Sequence, residues 1–248
     1  MMSGRTRNEH LLGNGDPRRA KFWFIGPEAS EDEKRDAQIW DTVWERSGAN
    51  ETCDVREIAM AAAAEFDTQA KSGVDDELRK HWSEQATKIR RNFDPQKCLL
   101  QRTWRDLIRL ALSFEGTSGP EDIAMRSFQC ERLSTDCMLL ECRGGGDRAQ
   151  NAKRQLTGNP NERARRIREL LTKHQPCLAV FYGTIACGHA GQFAKVCSPW
   201  EVGGRWALGT YGRTVVGLTP HPCAYGIKAV EWRAFGAELR RRADRTRP

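Results

Sequence analysis

Four short apolar runs, each stopped by glycine or proline, constrain the fold of this 248-residue chain more than any other feature. The runs cover residues 21–25, 137–140, 177–182 and 214–218. Each has the length and composition of a buried strand. They are followed by Gly26-Pro27, a loop with three glycines at 144–146, Gly183, and the segment Thr219-Pro220-His221-Pro222. Because glycine and proline interrupt regular structure, every run is predicted to be a strand that ends in a turn.

Stretches with apolar residues at helical spacing fill most of the intervals between the runs. Helices are predicted within residues 30–48, 54–93 with a break at Gly73, 101–114, 120–132, 161–175 and 228–242. The stretch around Trp200 to Trp206 is predicted to be irregular. Alternating strands and helices predict an α/β protein of three layers, α/β/α, around a central, mainly parallel, four-stranded sheet.

The polar, basic first 19 residues predict a flexible arm, and residues 20–248 predict a single domain because the linkers are short. No run of 18 apolar residues occurs, so no contact with a membrane interior is expected. The first residues also lack an apolar secretory core, which favours a cytoplasmic location.

The nine cysteines are odd in number and form no C-x-x-C pair. We therefore expect reduced thiols. Cys187, His189 and Cys197 form at most a partial metal site because no fourth ligand is evident. Neither a metal nor an organic cofactor is predicted.

Basic residues outnumber acidic ones by 40 to 33, a formal charge of +7. A surplus of this sign favours polyanionic partners. Two regions carry much of it. The first comprises Lys153, Arg154, Arg163, Arg165, Arg166 and Arg168, and the second the arginines at 240, 241, 242, 245 and 247. Contacts with phosphates and solvated helix faces are both compatible with these clusters.

Parallel strands joined by right-handed crossovers have their carboxyl ends on one edge of the sheet. Glu28, the loop 141–147, the turn at Gly183 and His221 each follow a predicted strand. They are therefore expected to meet in one crevice. The two prolines beside His221 restrict the backbone and hold this imidazole in a stiff turn.

Three kinds of chemistry suit such a crevice. In the first, a hydrolysis, Glu28 orients water and His221 stabilises a departing anion. The second is phosphoryl or nucleotide chemistry on the glycine loop, although C-R-G-G-G-D lacks the pattern of a P-loop and of a dinucleotide fingerprint. The third is nucleophilic attack by Cys142 or Cys223 paired with His221.

The order of the strand ends resembles the uracil-DNA glycosylase superfamily. The matching segments are F-I-G-P-E-A, L-L-E-C-R-G-G-G, Y-G and T-P-H-P, and L-Q-R-T-W-R-D-L-I-R is similar to a group of diverged bacterial members. The resemblance spans about residues 21–240. It implies a three-layer fold of that type and excision of uracil from DNA, as in base excision repair.

The resemblance also assigns roles to the carboxyl-edge residues. Glu28 matches the acid that orients water and offsets the positive charge on the sugar, and His221 matches the histidine that hydrogen-bonds the leaving base. Gly26 and Pro27 border the substrate. Glu141 stands where many members have the asparagine that reads the base edge.

Other roles remain open between alternatives. Because the Glu141 carboxylate cannot donate to the base, a backbone N–H near Gly144 would have to help it; Arg143 or Asp147 is the alternative base reader. Trp40 either stacks on the flipped base or belongs to the core. The chain departs from the family pattern in Ala29-Ser30 after the acid and in Cys223-Ala224 after His-Pro.

The implied partner is uracil-containing DNA, single- or double-stranded, bound by a monomer that flips the base. Arg154 and Arg163 are predicted to contact phosphates, and Tyr225 or Ile227 to fill the gap left by the base. Two other functions remain open. One is a DNA-binding relative without excision, and the other is a hydrolase of nucleotides or small molecules.

Overall fold

A computed structural model describes most of the chain, and the structural statements below concern the residues that it describes. These are residues 13–26, 36, 39, 42–43, 52–53, 55–72, 75–94, 100, 102–117, 119–141, 160–183, 201–203, 205–222 and 226–246.

One mixed sheet organises the fold. Its strands are β1 (Gly13–Asn14), β2 (Phe22–Gly26), β3 (Thr52–Cys53), β4 (Cys137–Glu141), β5 (Leu178–Tyr182), β6 (Glu201–Gly203), β7 (Trp206–Tyr211) and β8 (Thr214–Thr219). They lie in the order β3-β1-β4-β2-β5-β8-β7-β6. The central strands β4, β2, β5 and β8 are mutually parallel and coincide with the four apolar runs. The predicted α/β class and parallel centre are confirmed.

The predicted number of four strands is wrong, because further strands extend both sides of the parallel centre. On one side β7 pairs antiparallel with β8, and β6 pairs antiparallel with β7. The stretch predicted to be irregular therefore forms hairpins. The loop between Tyr211 and Thr214 has two residues, and Gly212 at its first position has a φ of +59°. This is the backbone that a tight hairpin turn with glycine first requires.

On the other side the sheet incorporates part of the predicted arm. β1 pairs antiparallel with β4 and parallel with β3. Gly15 follows β1 with a φ of +118°, and a Cβ there would overlap the carbonyl of Cys137. The chain approaches β4 so closely that only glycine fits. The boundary at residue 19 is therefore wrong: residues 13–19 belong to the fold, whereas residues 1–12 lie outside the described residues.

The helices are α1 (Val55–Ala70), α2 (Asp76–Asn92), α3 (Arg102–Glu115), α4 (Glu121–Ser127), α5 (Leu133–Asp136), α6 (Pro160–His174) and α7 (Ala229–Thr246). A π-helical turn, Phe128–Arg132, joins α4 to α5. Asp75 caps α2 by accepting a hydrogen bond from the Leu78 N–H at 2.9 Å. The helices predicted over residues 54–93, 101–114, 161–175 and 228–242 are confirmed, with the break near Gly73.

Alternate side chains of the central strands face opposite sides of the sheet, as the period of two requires. Phe22 and Phe24 belong to a core shared with α3 and α7. Trp23 and Ile25 belong to a second core shared with α6. All four are 1% exposed or less, so helices cover both faces of the sheet and the strands are apolar throughout.

A third apolar cluster joins α1 and α2 to the segment that follows β2. Ile39 and Val43 are buried in it. Asp36, 5% exposed, accepts hydrogen bonds from the Trp82 indole N–H and interacts with His81 Nε2, each at 3.3 Å. In the described part of the chain, no helix has the length and apolar character needed to cross a membrane.

Candidate functional site

The carboxyl ends of the central strands meet along one edge of the sheet, which we call the carboxyl edge. Gly26 at the end of β2 is in register with Glu141 at the end of β4. Tyr182 at the end of β5 is in register with Thr219 at the end of β8. The Gly183 N–H donates to the Thr219 carbonyl at 3.1 Å. This edge therefore presents four consecutive strand ends, and His221 follows the last of them by two residues.

Tyr182, at the end of β5, contacts residues from the strand ends on both sides of it, those of β2 and β8. Its ring lies directly against Gly26, where any Cβ would overlap the ring atoms. The same ring makes an edge contact with His221, with 5.7 Å between ring centroids and an interplanar angle of 65°. Gly26, Tyr182 and His221 thus form one continuous stack along the carboxyl edge, which we call the edge stack.

Sequence reasoning did not single out Tyr182. It ends a buried apolar strand, where an aromatic residue usually completes the core. The available signals were the tyrosine hydroxyl at a strand end and a neighbouring strand that ends in glycine, which has no side chain to fill the space beside it. Together these indicate a ring that packs across two strand ends.

The environment of His221 favours its neutral form. The imidazole is partly buried, and this desolvation lowers its pKa below the ordinary value of about 6.5. A neutral imidazole has one N–H donor and one nitrogen acceptor. At neutral pH His221 can therefore donate one hydrogen bond without carrying a charge into the site.

The turn that carries His221 is anchored to the sheet. Thr219 is fully buried, and its hydroxyl donates to the Phe181 carbonyl at 3.4 Å. Pro222 is buried on the other side of the histidine. Pro220, between Thr219 and His221, has a fixed φ, so the backbone is restrained on both sides of His221.

Most of the other predicted site residues lie outside the described residues. These are Glu28, Pro27, Trp40, Arg143, Gly144, Asp147, Arg154 and Tyr225, together with the cysteines proposed as nucleophiles or metal ligands, Cys142, Cys187, Cys197 and Cys223, and with His189. Glu141 is the last residue of β4, and Arg163 lies near the start of α6. Among the described residues, no three His, Cys, Asp or Glu side chains come together as metal ligands.

The opposite edge of the sheet, the amino edge, has a different chemistry. Arg132 in the π-helical turn donates to both carboxylate oxygens of Glu115 at 2.7 and 2.8 Å and to Asp136 at 2.8 Å. Its guanidinium also lies 4.6 Å from the centroid of the Phe128 ring. Hydrogen bonds to Glu115 raise the pKa of Arg132. Burial raises the pKa of Asp136, but hydrogen bonds from Arg132 and Thr135 outweigh this and lower it.

Comparison with protein-family models and with curated proteins yields no match to this chain. The functional argument therefore depends on the fold, the edge stack and the residues that follow the strands.

Proposed function

We propose that this protein is a uracil-DNA glycosylase with the three-layer α/β/α fold of that superfamily. It would hydrolyse the N-glycosidic bond between uracil and deoxyribose in DNA, leaving an abasic site. The observation that carries the proposal is the edge stack, in which a neutral, proline-flanked His221 lies beside Tyr182 and Gly26 at the carboxyl edge. Ligands of open α/β sheets bind at this edge.

His221 acts on the leaving base. When the N-glycosidic bond breaks, the electron pair goes to the base, and negative charge accumulates on its ring nitrogen and carbonyl oxygen. The imidazole N–H donates to that oxygen. A fixed donor aimed at developing charge in a partly desolvated site contributes about 10²–10³ in rate. A neutral donor suits this step because it stabilises the anion without requiring an extra proton in the site.

Glu28 acts on the sugar and the water. In the sequence it follows Gly26, the last residue of β2, by two residues. As a carboxylate it offsets the positive charge on the deoxyribose ring and accepts a proton as water attacks C1′. The departing base takes up a proton from solvent, so the products are the free base and an abasic deoxyribose.

The remaining residues bind the substrate. Glu141 accepts from the N3–H of uracil, and a backbone N–H near Gly144 supplies the donor for O4 that a carboxylate lacks. A carboxylate here also accepts from an exocyclic amino group, which makes other deaminated or amino-bearing bases reasonable substrates. Arg143 and Asp147 are alternative readers, and Pro27 and Trp40 border the flipped base. Arg154, Arg163 and Tyr225 contact the DNA.

Oligonucleotides with a single uracil, single-stranded and double-stranded, test the proposal directly. After incubation, alkali cleaves the strand wherever a base has been removed. We expect cleavage at uracil, with hypoxanthine, xanthine and G·T substrates run alongside to define specificity. If none of these substrates is cleaved, excision is excluded.

Binding measurements then separate the two other functions. A DNA-binding relative without excision binds the same oligonucleotides with an affinity that falls as salt rises. A hydrolase of small molecules shows no such binding.

A further inference from the structure

A basic surface groove lies between α6 and the hairpin of β7 and β8, with one end at the amino edge of the sheet. Its volume is about 460 Å³. It is lined by Arg165, Arg168, Glu169, Thr172, Lys173 and Tyr211. The Thr172 and Tyr211 hydroxyls share a hydrogen bond of 2.8 Å across it, which ties the helix to the hairpin. We call this surface the α6 groove.

One end of the α6 groove, formed by Tyr211 and Lys173, is remote from the carboxyl edge. Tyr211 pairs with Thr214, the first residue of β8, whereas His221 lies beyond the last. Five residue steps of strand separate Thr214 from Thr219, which is roughly 16 Å at the rise of an extended strand. His174, which ends α6, packs with its ring 6.4 Å from that of Trp23, near the start of β2. No single nucleotide reaches both His221 and this end of the groove.

The charge of the α6 groove is positive. Three of its lining residues are cationic, and its one acidic residue, Glu169, is already paired with Arg165. Arg213 lies next to the groove and donates to Gln175 at 3.0 Å. The pKa of the neighbouring His174 is lowered by burial and then by the positive charge of Lys173, whereas the charge of Asp16 opposes the shift.

The spacing of the cations indicates the form of the ligand. Arg165 and Lys173 are eight residues apart on one helix, which is about 12 Å along its axis. Phosphates of one strand in a duplex follow each other by about 3.4 Å along the axis, so this distance spans three to four of them. A single phosphate would require cations that converge on one point. The row instead fits a polymer of phosphates that lies along the helix.

We propose that the α6 groove binds the sugar–phosphate backbone of a nucleic acid, as a second surface separate from the carboxyl edge. The binding is independent of base identity because charged side chains contact phosphates. The proposal goes beyond the proposed function and does not depend on it. If both operate, the Lys173 end of the groove holds DNA about five nucleotides away from the reacting base, given the separation of roughly 16 Å and the 3.4 Å rise per strand.

Fluorescence anisotropy with a labelled, uracil-free single-stranded oligonucleotide tests the groove. The test variant combines Arg165→Gln, Arg168→Gln and Lys173→Gln. The control variant combines Lys80→Gln, Lys88→Gln and Arg91→Gln on α2, a helix of the separate third cluster, and loses the same net charge. We expect the groove variant to bind at least about 10-fold more weakly and its salt slope to fall by about 2, since each phosphate contact contributes about 0.7. The control should change by less than about 2-fold.

Three outcomes would overturn the proposal. In the first, both variants lose affinity equally, which shows that only net charge matters. In the second, the groove variant binds like the wild type. In the third, polyglutamate binds the groove but the oligonucleotide does not, which indicates an acidic protein partner. Urea unfolding of both variants establishes that each is folded. Because the oligonucleotide lacks uracil, failure of excision leaves this result intact.

Discussion

The two edges of the sheet are built from different interactions. At the amino edge, Arg132, Glu115 and Asp136 form a partly buried network of ion pairs, and Lys21 joins it at 3.7 Å from Asp136. At the carboxyl edge, the edge stack is held by a ring packed on a glycine and by an imidazole with a lowered pKa. The amino edge therefore stabilises the fold through ion pairs, whereas the carboxyl edge keeps a neutral hydrogen-bond donor available.

Chain connectivity explains the difference. At the amino edge, α5 runs into β4 without a loop, and the Lys21 N–H donates to the Asp136 carbonyl at 2.8 Å. Side chains there come from adjoining helices and strands, so their ion pairs have a fixed geometry. At the carboxyl edge β8 runs into a turn, which places the His221 side chain beyond the sheet. Turns on a rigid scaffold commonly carry function.

The largest predicted effect is on excision, at the carboxyl edge. His221→Ala should lower the rate of uracil release by about 10²-fold or more, because the leaving base loses its donor; this corresponds to about 2.7 kcal/mol of transition-state stabilisation. Glu28→Gln should lower it similarly. The matched control is His174→Ala at the amino edge, another partly buried histidine with a lowered pKa. Single-turnover release from a uracil oligonucleotide measures all three, and a wild-type rate in His221→Ala would refute the role of His221.

The pH profile distinguishes a donor from a packing residue. Because burial lowers the pKa of His221, wild-type activity should persist below pH 6.5. It should fall only when the pH drops through the lowered pKa that His221 has in the folded protein. The stability of the fold should fall in acid as well. Above about pH 6.5 His221 is unprotonated in both the folded and the unfolded protein. Below that pH the unfolded chain binds the proton more readily than the folded protein does, so the free energy of unfolding falls as the pH falls. Protonation of the Glu28 carboxylate also lowers activity in acid, so His221 is read from the difference between the wild-type and His221→Ala profiles. Identical acid limbs in the two proteins would show that His221 only packs the edge.

The next effect concerns stability, at the amino edge. Arg132→Met should lower the free energy of unfolding by about 2 kcal/mol, because Glu115 and Asp136 keep their charges without their partner. Urea is the appropriate denaturant, since it does not screen ion pairs. Arg18→Met is the control: Arg18 pairs with Asp16 with a side chain that is 79% exposed, and no measurable change is expected. Equal losses in the two variants would contradict the difference between a partly buried network and an exposed pair.

Much of the fold follows from the sequence, and the failures have physical causes. The central strands were predictable because strands buried on both faces are apolar throughout, as Phe22 to Ile25 are. The β6–β7–β8 meander was missed although Gly-Arg precedes both Trp206 and Thr214, a signal for two-residue hairpin loops. β1 carries no such signal. Its two residues join the sheet because the backbone at Gly15 fits against β4, which is a tertiary effect.

The candidate site was predictable only in part. Topology alone brings Gly26, Glu141 and His221 to one edge, because parallel strands end together. The contact between Tyr182 and Gly26 depends on the twist of the sheet and on the rotamer of the ring, neither of which a pattern of residue types contains. Sequence reasoning therefore identified the residues that follow the strands and missed the ring between them.

The smallest predicted effect tests that contact. Gly26→Ala should displace the Tyr182 ring, lower the free energy of unfolding by about 1 kcal/mol and slow uracil release several-fold, because overpacking forces a ring from its place beside His221. Tyr182→Leu alone should also destabilise the protein. In the double variant the smaller side chain accommodates the new Cβ, so the two losses should not add, and the coupling energy should be about 1 kcal/mol. Urea unfolding of the four proteins measures it. Additive losses would show that Gly26 and Tyr182 act independently, and the edge stack would then reduce to the single pair of Tyr182 and His221.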